Sequence, residues 1–312
     1  MPERGIPERG IIVENVRRSF GAAHAVRDVS FSARAGAVTG LVGPNGSGKT
    51  TLLLMLASLL QPDAGTIRIN GLDPATSTAE VRAQVGWMPD SLGAWPSLTV
   101  HDTLVTTARL YDLPRAATDA RATELLARVG LSDLAKVQAR VLSRGQKQLL
   151  GLARSLVHSP NVLLLDEPAS GLDARARVGL REHLRELAAG GCTILISSHV
   201  LSELDEIVDD AVFIEAGVTV RADRLARASA RERQWRVRVL TENVGPDQLA
   251  AVLGAATPSI RVERTGFLVP FSSDAAAAAG LRTILTAGID VAEFAPALGD
   301  IEHTYLDLGD QS

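Results

Sequence analysis

"LVGPNGSGKTTLLLML", residues 41–56, decides the fold. Residues 43–50 fit the pattern G-x-x-x-x-G-K-[ST], between a predicted buried strand over 37–42 and a predicted helix over 50–60. That strand–loop–helix context is the one in which the pattern makes a phosphate-binding loop. Gly43, Gly46 and Gly48 let backbone N–H groups curl around a β-phosphate. Lys49 supplies a point charge to the β- and γ-phosphates, and the Thr50 hydroxyl suits the shell of Mg²⁺. The plain alternative is a glycine-rich turn with a chance lysine. Only Lys49, Lys136 and Lys147 among the 32 basic residues are lysines, which weighs against chance at this spot.

Upstream, residues 11–42 alternate short apolar runs with turns and read as an antiparallel β region. Downstream, "PDAGTIRINGLD" (62–73) reads as a hairpin with turns at Ala64-Gly65 and Asn70-Gly71. "EVRAQVGWMP" (80–89) reads as a short helix and then a strand. Residues 100–141 change character: amphipathic helices follow one another with no strand between them. "GQKQLLGLARSLVHS" (145–159) is a further helix, ended by Pro160. "NVLLLDEP" (161–168), "CTILISSH" (192–199) and "DAVFIEAG" (210–217) read as buried strands alternating with helices at 174–189 and 200–208. That alternation predicts a parallel α/β sheet.

Residues 221–233 read as a charged helix or linker, after which the pattern restarts. "QWRVRVL" alternates with period two, and helix, two strands, helix and strand follow up to "IDVAEF" (289–294). The order β-α-β-β-α-β is that of the ferredoxin-like split arrangement. The expected organisation is a first domain over 1–222, with a helical subdomain at about 100–158, and a small α+β domain over 223–312.

Composition narrows the function classes. At 312 residues, with 46% apolar and 22% charged residues, the chain can fold as about two globular domains. A net charge of −4 gives no support to nucleic-acid binding. The lone Cys192 allows no internal disulfide and fits a reducing setting. "MPERGIPERG" begins no signal-peptide core, and no apolar run reaches the roughly 20 residues that cross a bilayer. A membrane role would come through a partner.

Two further stretches carry chemistry. Asp166 ends the strand of "VLLLDEP", where it can hold Mg²⁺ through water, and Glu167 beside it can accept the proton of an attacking water. The carboxyl ends of a parallel sheet are where α/β proteins bind ligands. An acidic pair at a strand end is ordinarily a solvated turn; following a P-loop it reads as a phosphoryl-transfer site. His199 ends another apolar strand, where a histidine more often caps or packs, yet it can reach a γ-phosphate from there. Phe20 is by itself an ordinary core aromatic, although it can stack on adenine.

The ordered set resembles the ATP-binding cassette ATPases over roughly residues 10–220. "GPNGSGKTT" resembles Walker A, which brings Pro44, Asn45, Ser47 and Thr51 into the expected nucleotide site beside the glycines, Lys49 and Thr50. "VLLLDEP" resembles Walker B with catalytic Glu167, His199 the switch histidine, "SGLD" (170–173) the D-loop, and Phe20 the A-loop aromatic. "LSRGQKQ" (142–148) resembles the signature motif, which implies that Ser143, Gly145 and Gln146 bind the γ-phosphate of ATP held by a second cassette. "DEPASGLDARAR", "ISSHVLSELDEIVD" and the closing "DIEHTYLDL" resemble the bacterial exporter branch whose ATPase and permease are separate chains.

Three positions depart from the common pattern. Asp90 in "GWMPDSLG" stands where many members have the Q-loop Gln, Arg144 replaces the first signature glycine, and Leu149 replaces a basic residue. The resemblance implies an active ATPase using ATP and Mg²⁺, with Thr50, Asp166 and Asp90 around the metal. It also implies a homodimer with two composite sites that ATP closes and hydrolysis reopens, and an integral-membrane permease as partner at the cytoplasmic face of the membrane. The competing reading is a soluble cassette ATPase acting on ribosomes or DNA. A single P-loop, and no sustained heptads between Walker A and Walker B, weigh against it. Leu92 and Trp95, in a Gly/Pro-punctuated loop before the helical insertion, are expected either to meet a permease helix or to pack on the insertion.

Overall fold

A computed structural model describes residues 9–91, 93, 95, 97–229, 232–241, 244–256 and 259–309; Leu92 lies outside them. The chain divides into two compact units, one within residues 1–220 and one within 221–312.

The first unit opens with two long strands, β1 (Gly10–Phe20) and β2 (Ala23–Arg34), which pair antiparallel. β3 (Val38–Val42) enters the core and delivers the P-loop, from which α1 (Lys49–Leu56) departs. Next come β4 (Ala64–Ile69), α2 (Thr78–Gln84) and β5 (Val85–Met88). The helical insertion follows with α3 (Val100–Leu110), α4 (Arg115–Arg128), two short 3₁₀ turns and α5 (Arg144–Ser155). The chain then returns to the sheet: β6 (Val162–Asp166), α6 (Ala174–Ala189), β7 (Thr193–Ser197), α7 (Leu201–Asp205), β8 (Asp210–Glu215) and β9 (Val218–Thr219).

These strands form one mixed sheet in the order β4-β1-β2-β9-β8-β3-β7-β6-β5. From β8 to β5 every pairing is parallel. A parallel strand covered by helices on both faces must be apolar throughout, and β3, β6 and β7 are buried at every residue. β1 and β2 mix buried and exposed positions, with register shifts along their pairing, as a sheet with one wet face does. α1 is held by Leu52, Leu53, Met55 and Leu56, all fully buried in the core that also contains Val162, Leu164 and Leu195. The expected parallel core, antiparallel subdomain and helical insertion are therefore present.

Two local expectations are corrected. α1 stops at Leu56 rather than Leu60, because Ser58 turns into the left-handed region (φ 56°) and breaks the helical ladder. Residues 62–73 are not a two-stranded hairpin: β4 is a single strand paired with β1. Gly65 is needed there for close approach, since a Cβ on it would lie 2.4 Å from the Asn15 carbonyl oxygen. Only Asn70-Gly71 makes a turn, closing the bridge between Ile69 and Leu72.

The second unit begins with α8 (Ala222–Ser229) and continues through β10 (Arg233–Val239), α9 (Pro246–Leu253), β11 (Arg261–Glu263) and β12 (Gly266–Phe271). It ends with α10 (Asp274–Thr286), β13 (Val291–Pro296) and α11 (Asp300–Gly309). Its strands form a separate antiparallel sheet in the order β11-β12-β10-β13. Val237, Phe267 and Val269 from the sheet pack with Leu249, Ala250 and Ile284 from α9 and α10, a core that shares no residue with that of the first unit.

Candidate functional site

The P-loop is shaped by steric exclusion. A Cβ on Gly43 would lie 2.2 Å from the Ile214 carbonyl oxygen, and one on Gly48 2.3 Å from that of Ala25, so neither place admits a side chain. Gly48 (φ 102°) also caps α1, a backbone angle that glycine adopts without penalty. Lys49 opens the helix only 7% exposed, its Nζ donating to the carbonyls of Gly43 (2.7 Å) and Pro44 (3.1 Å). Burial pushes its pKa down, opposed by the carboxylates of Glu167 and Asp166. Ser47 Oγ is buried and has no hydrogen-bond partner among the described residues.

At the second residue of α1, Thr50 Oγ1 donates to Asp166 Oδ2 at 2.8 Å. The other carboxylate oxygen of Asp166 accepts from Ser197 Oγ at 2.5 Å, and Asp166 is 3% exposed. Parallel pairing of β6 with β7 sets Asp166 opposite Ser197, which is why the two meet. Glu167 follows in the left-handed region (φ 53°), a strained conformation for a side chain with a Cβ, and such strain clusters at functional sites. Its backbone N–H is held by the Ser197 carbonyl (3.1 Å) and Ser197 Oγ (3.2 Å), and its Oε2 lies 2.7 Å from His199 Nδ1. Beside a carboxylate, Nδ1 is the nitrogen that carries the proton.

A cleft of about 380 Å³ gathers these groups: Asn45, Gly46, Gly48, Lys49, Thr50 and Thr51 from the loop, with Asp90, Asp166 and Glu167 facing them. Phe20 is not among the residues that line it; the ring is 50% exposed, with the Arg18 guanidinium 4.9 Å from its centre. Ser143, Gly145 and Gln146 do not line it either. Ser143 caps α5 in a reciprocal capping box, its Oγ accepting from Gln146 N while Gln146 Oε1 accepts from Ser143 N. This leaves a defined helix N-terminus of the kind that binds anions.

Sequence reasoning passed over two residues around the site and the partner of a third. Ser197 fastens both Asp166 and the Glu167 backbone, and the serine that ends the apolar run "TILIS" was the available signal. Gln148 Nε2 donates to the Asp90 carbonyl at 3.0 Å and lies 3.5 Å from that of Glu167; nothing in the local pattern marks it. Arg144, marked in the sequence only as replacing a signature glycine, is exposed, and its guanidinium donates to Ser170 Oγ at 2.6 Å.

Comparison with known proteins places this geometry in a family. The family profile described as ABC transporter matches residues 26–170. The chain is 31% identical over 303 residues to a daunorubicin resistance ATP-binding protein of Streptomyces coeruleorubidus, covering 96% of each chain. It is 36% identical over 261 residues to a Nod factor export ATP-binding protein of Ralstonia nicotianae, covering 83% of this chain and 78% of that one. A solved ATP-binding subunit of an ABC transporter superposes with a TM-score of 0.64 at 28% identity, over 70% of this chain and 92% of the other. The chain thus belongs to the ABC transporter family, as an ATP-hydrolysing, ATP-binding subunit of export systems in the branch of its Nod factor export and drug-resistance relatives.

Proposed function

We propose that the chain is the motor of a membrane exporter and works as a homodimer, each ATP held between the P-loop of one copy and the α5 N-terminus of the other. The observation that carries this reading is the separation within one chain: Ser143, Gly145 and Gln146 form an anion-binding helix end, yet none lines the cleft built by Lys49, Thr50 and Asp166. A second copy supplies what each cleft lacks. No helix of the described residues is long and apolar enough to cross a membrane, so the path through the bilayer belongs to a permease partner.

Within the cleft each residue has one task. Lys49 leaves its two carbonyl partners to meet the β- and γ-phosphates. Glu167 accepts the proton of the attacking water, and His199 fixes the carboxylate's orientation from Nδ1. Phe20, half exposed at the end of β1, offers a face to adenine. Mg²⁺ fits the donor set: Thr50 Oγ1 and Asp166 Oδ2 converge to 2.8 Å, Asp90 lies across the same cleft, and the described residues hold no cluster of three acidic, His or Cys ligands. An ion held by few protein oxygens and the substrate's own phosphates suits magnesium, which when bound neutralises charge developing on the phosphates.

A groove of about 620 Å³ beside β5 and α3 is the place for the permease. Trp87, Pro89, Trp95, Leu110 and Tyr111 give it an apolar lining, and Arg154 lies 5.8 Å from the centre of the Trp95 ring. Trp95→Ala removes an exposed anchor without touching the catalytic cleft. With the permease present, transport should fall at least about tenfold while basal ATPase stays within about twofold. Loss of basal ATPase or of folding would instead mark Trp95 as packing for the insertion.

The second unit reads as a ferredoxin-like accessory domain, a reading supported by its strand order β11-β12-β10-β13 and by helices α9 and α10 on one face. Because the two cores share no residue, a chain ending at Val220 should fold and bind ATP within about threefold of the full chain. Calorimetry and nucleotide titration check this; an aggregate without binding would make the two units one folding body.

A further inference from the structure

Helix α5 grips the catalytic segment at two points one turn apart. From its first residue, Arg144 donates to Ser170 Oγ at 2.6 Å. Four residues on, and so on the same face, Gln148 donates to the Asp90 carbonyl at 3.0 Å and approaches the Glu167 carbonyl at 3.5 Å. Ser170 is tied to the same segment, its N–H donating to the Glu167 carbonyl at 3.1 Å. The fit around Arg144 is close. A Cβ on Gly171 would lie 2.9 Å from the Arg144 Cγ and Cδ, and one on Gly145 2.7 Å from the Gly171 carbonyl oxygen. Gly171 itself sits at φ 76°. The start of α5 and the loop after Glu167 are therefore interlocked.

We propose that Arg144 is a positioning residue for Glu167. Through Ser170, with Gln148 as the second anchor, it makes the helix end that meets one ATP set the placement of the base that serves the other. The proposal rests on the composite-site reading above. A phosphate at the Ser143 end of α5 belongs to the neighbouring chain's cleft, while Ser170 and Glu167 belong to this chain's own. Any shift of α5 on binding is passed to Glu167 by Arg144 and to Asp90 by Gln148, without a moving part in between. Coupling of this kind between two sites appears as cooperativity in ATP.

The test is ATP hydrolysis by the full-length protein carrying Arg144→Ala, Ser170→Ala or both, with melting temperature measured on each. Each single variant should lower kcat about three- to tenfold, the net worth of one ordinary, solvent-exposed hydrogen bond, with KM changed less than twofold and the Hill coefficient brought to about one. The double variant should be no worse than the singles, since both delete the same contact. Arg144→Lys, which keeps a donor within reach of Ser170, should recover part of the cooperativity. Additive losses, or an unchanged Hill coefficient in stably folded variants, overturn the proposal. If the wild-type chain shows neither cooperativity nor an ATP-dependent dimer by light scattering, the composite-site reading fails and takes the proposal with it. A dimer that forms with ATP, yet whose cooperativity ignores Arg144, removes the proposal alone.

Discussion

Glu167→Gln is expected to abolish turnover and spare binding: phosphate release falls by about 10²–10⁴-fold, the range for loss of a general base, while ATP affinity stays within about twofold. The substitution is close to isosteric. The amide oxygen can still accept from His199 Nδ1, which lies 2.7 Å from Oε2, and the backbone N–H keeps its bonds to Ser197. Only the capacity to take a proton is lost. Asp166 lies one residue earlier but cannot substitute, because its oxygens are engaged by Thr50 and Ser197 and it is 3% exposed. The arrested protein should elute as a dimer with ATP and as a monomer without it, since the nucleotide persists between the two copies. Near-normal phosphate release by the Gln variant would remove Glu167 from the base's role.

Much of the cassette is legible in sequence because its core is parallel. Strands covered on both faces must be largely apolar, so "VTGLV", "VLLLD" and "TILIS" stand out, and the polar residues that end the last two, Asp166 and Ser197, mark the rim where ligands bind. Asp166, Glu167 and His199 sit at such ends or in the loop that follows one, and Lys49 and Thr50 open the helix that follows the loop after β3. What stayed hidden depends on register between strands distant in sequence. Ser197 is set opposite Asp166 by the pairing of β6 with β7, and no local period encodes that pairing. The contacts of Gln148 and Arg144 were hidden for a related reason: their partners Asp90, Glu167 and Ser170 lie in the loops that follow β5 and β6, and only the packing of α5 against those loops brings them together. Gly65 misled in the opposite direction. A glycine required for backbone approach to Asn15 carries the same local signature as one required for a turn.

Mixing two inactive variants should restore activity if the α5 N-terminus serves a neighbour's ATP. Lys49→Ala deletes the cation of the P-loop, and Ser143→Arg replaces the cap whose Oγ accepts from Gln146 N, placing a bulky side chain at the helix end. Every site in either homodimer then joins one intact half to one broken half, and both proteins should be at least about a hundredfold below wild type. In a mixed dimer the two lesions fall on one site. The other pairs an intact Lys49 with an intact Ser143. Random exchange makes half the dimers mixed, each with one working site of two, so the mixture should reach about a quarter of the wild-type rate if the sites turn over independently. The link through Arg144 predicts a smaller figure. The working site uses Glu167 from the chain whose own α5 carries Ser143→Arg, and that helix end holds no phosphate to set the base in place. Adding Glu167→Gln to the Ser143→Arg chain should erase the recovery, because that glutamate lies beside the one intact P-loop. Adding it to the Lys49→Ala chain should not, because there it lies beside a loop already broken. No recovery in mixed dimers demonstrated by cross-linking would place Ser143 in the service of its own chain's nucleotide and overturn the shared site.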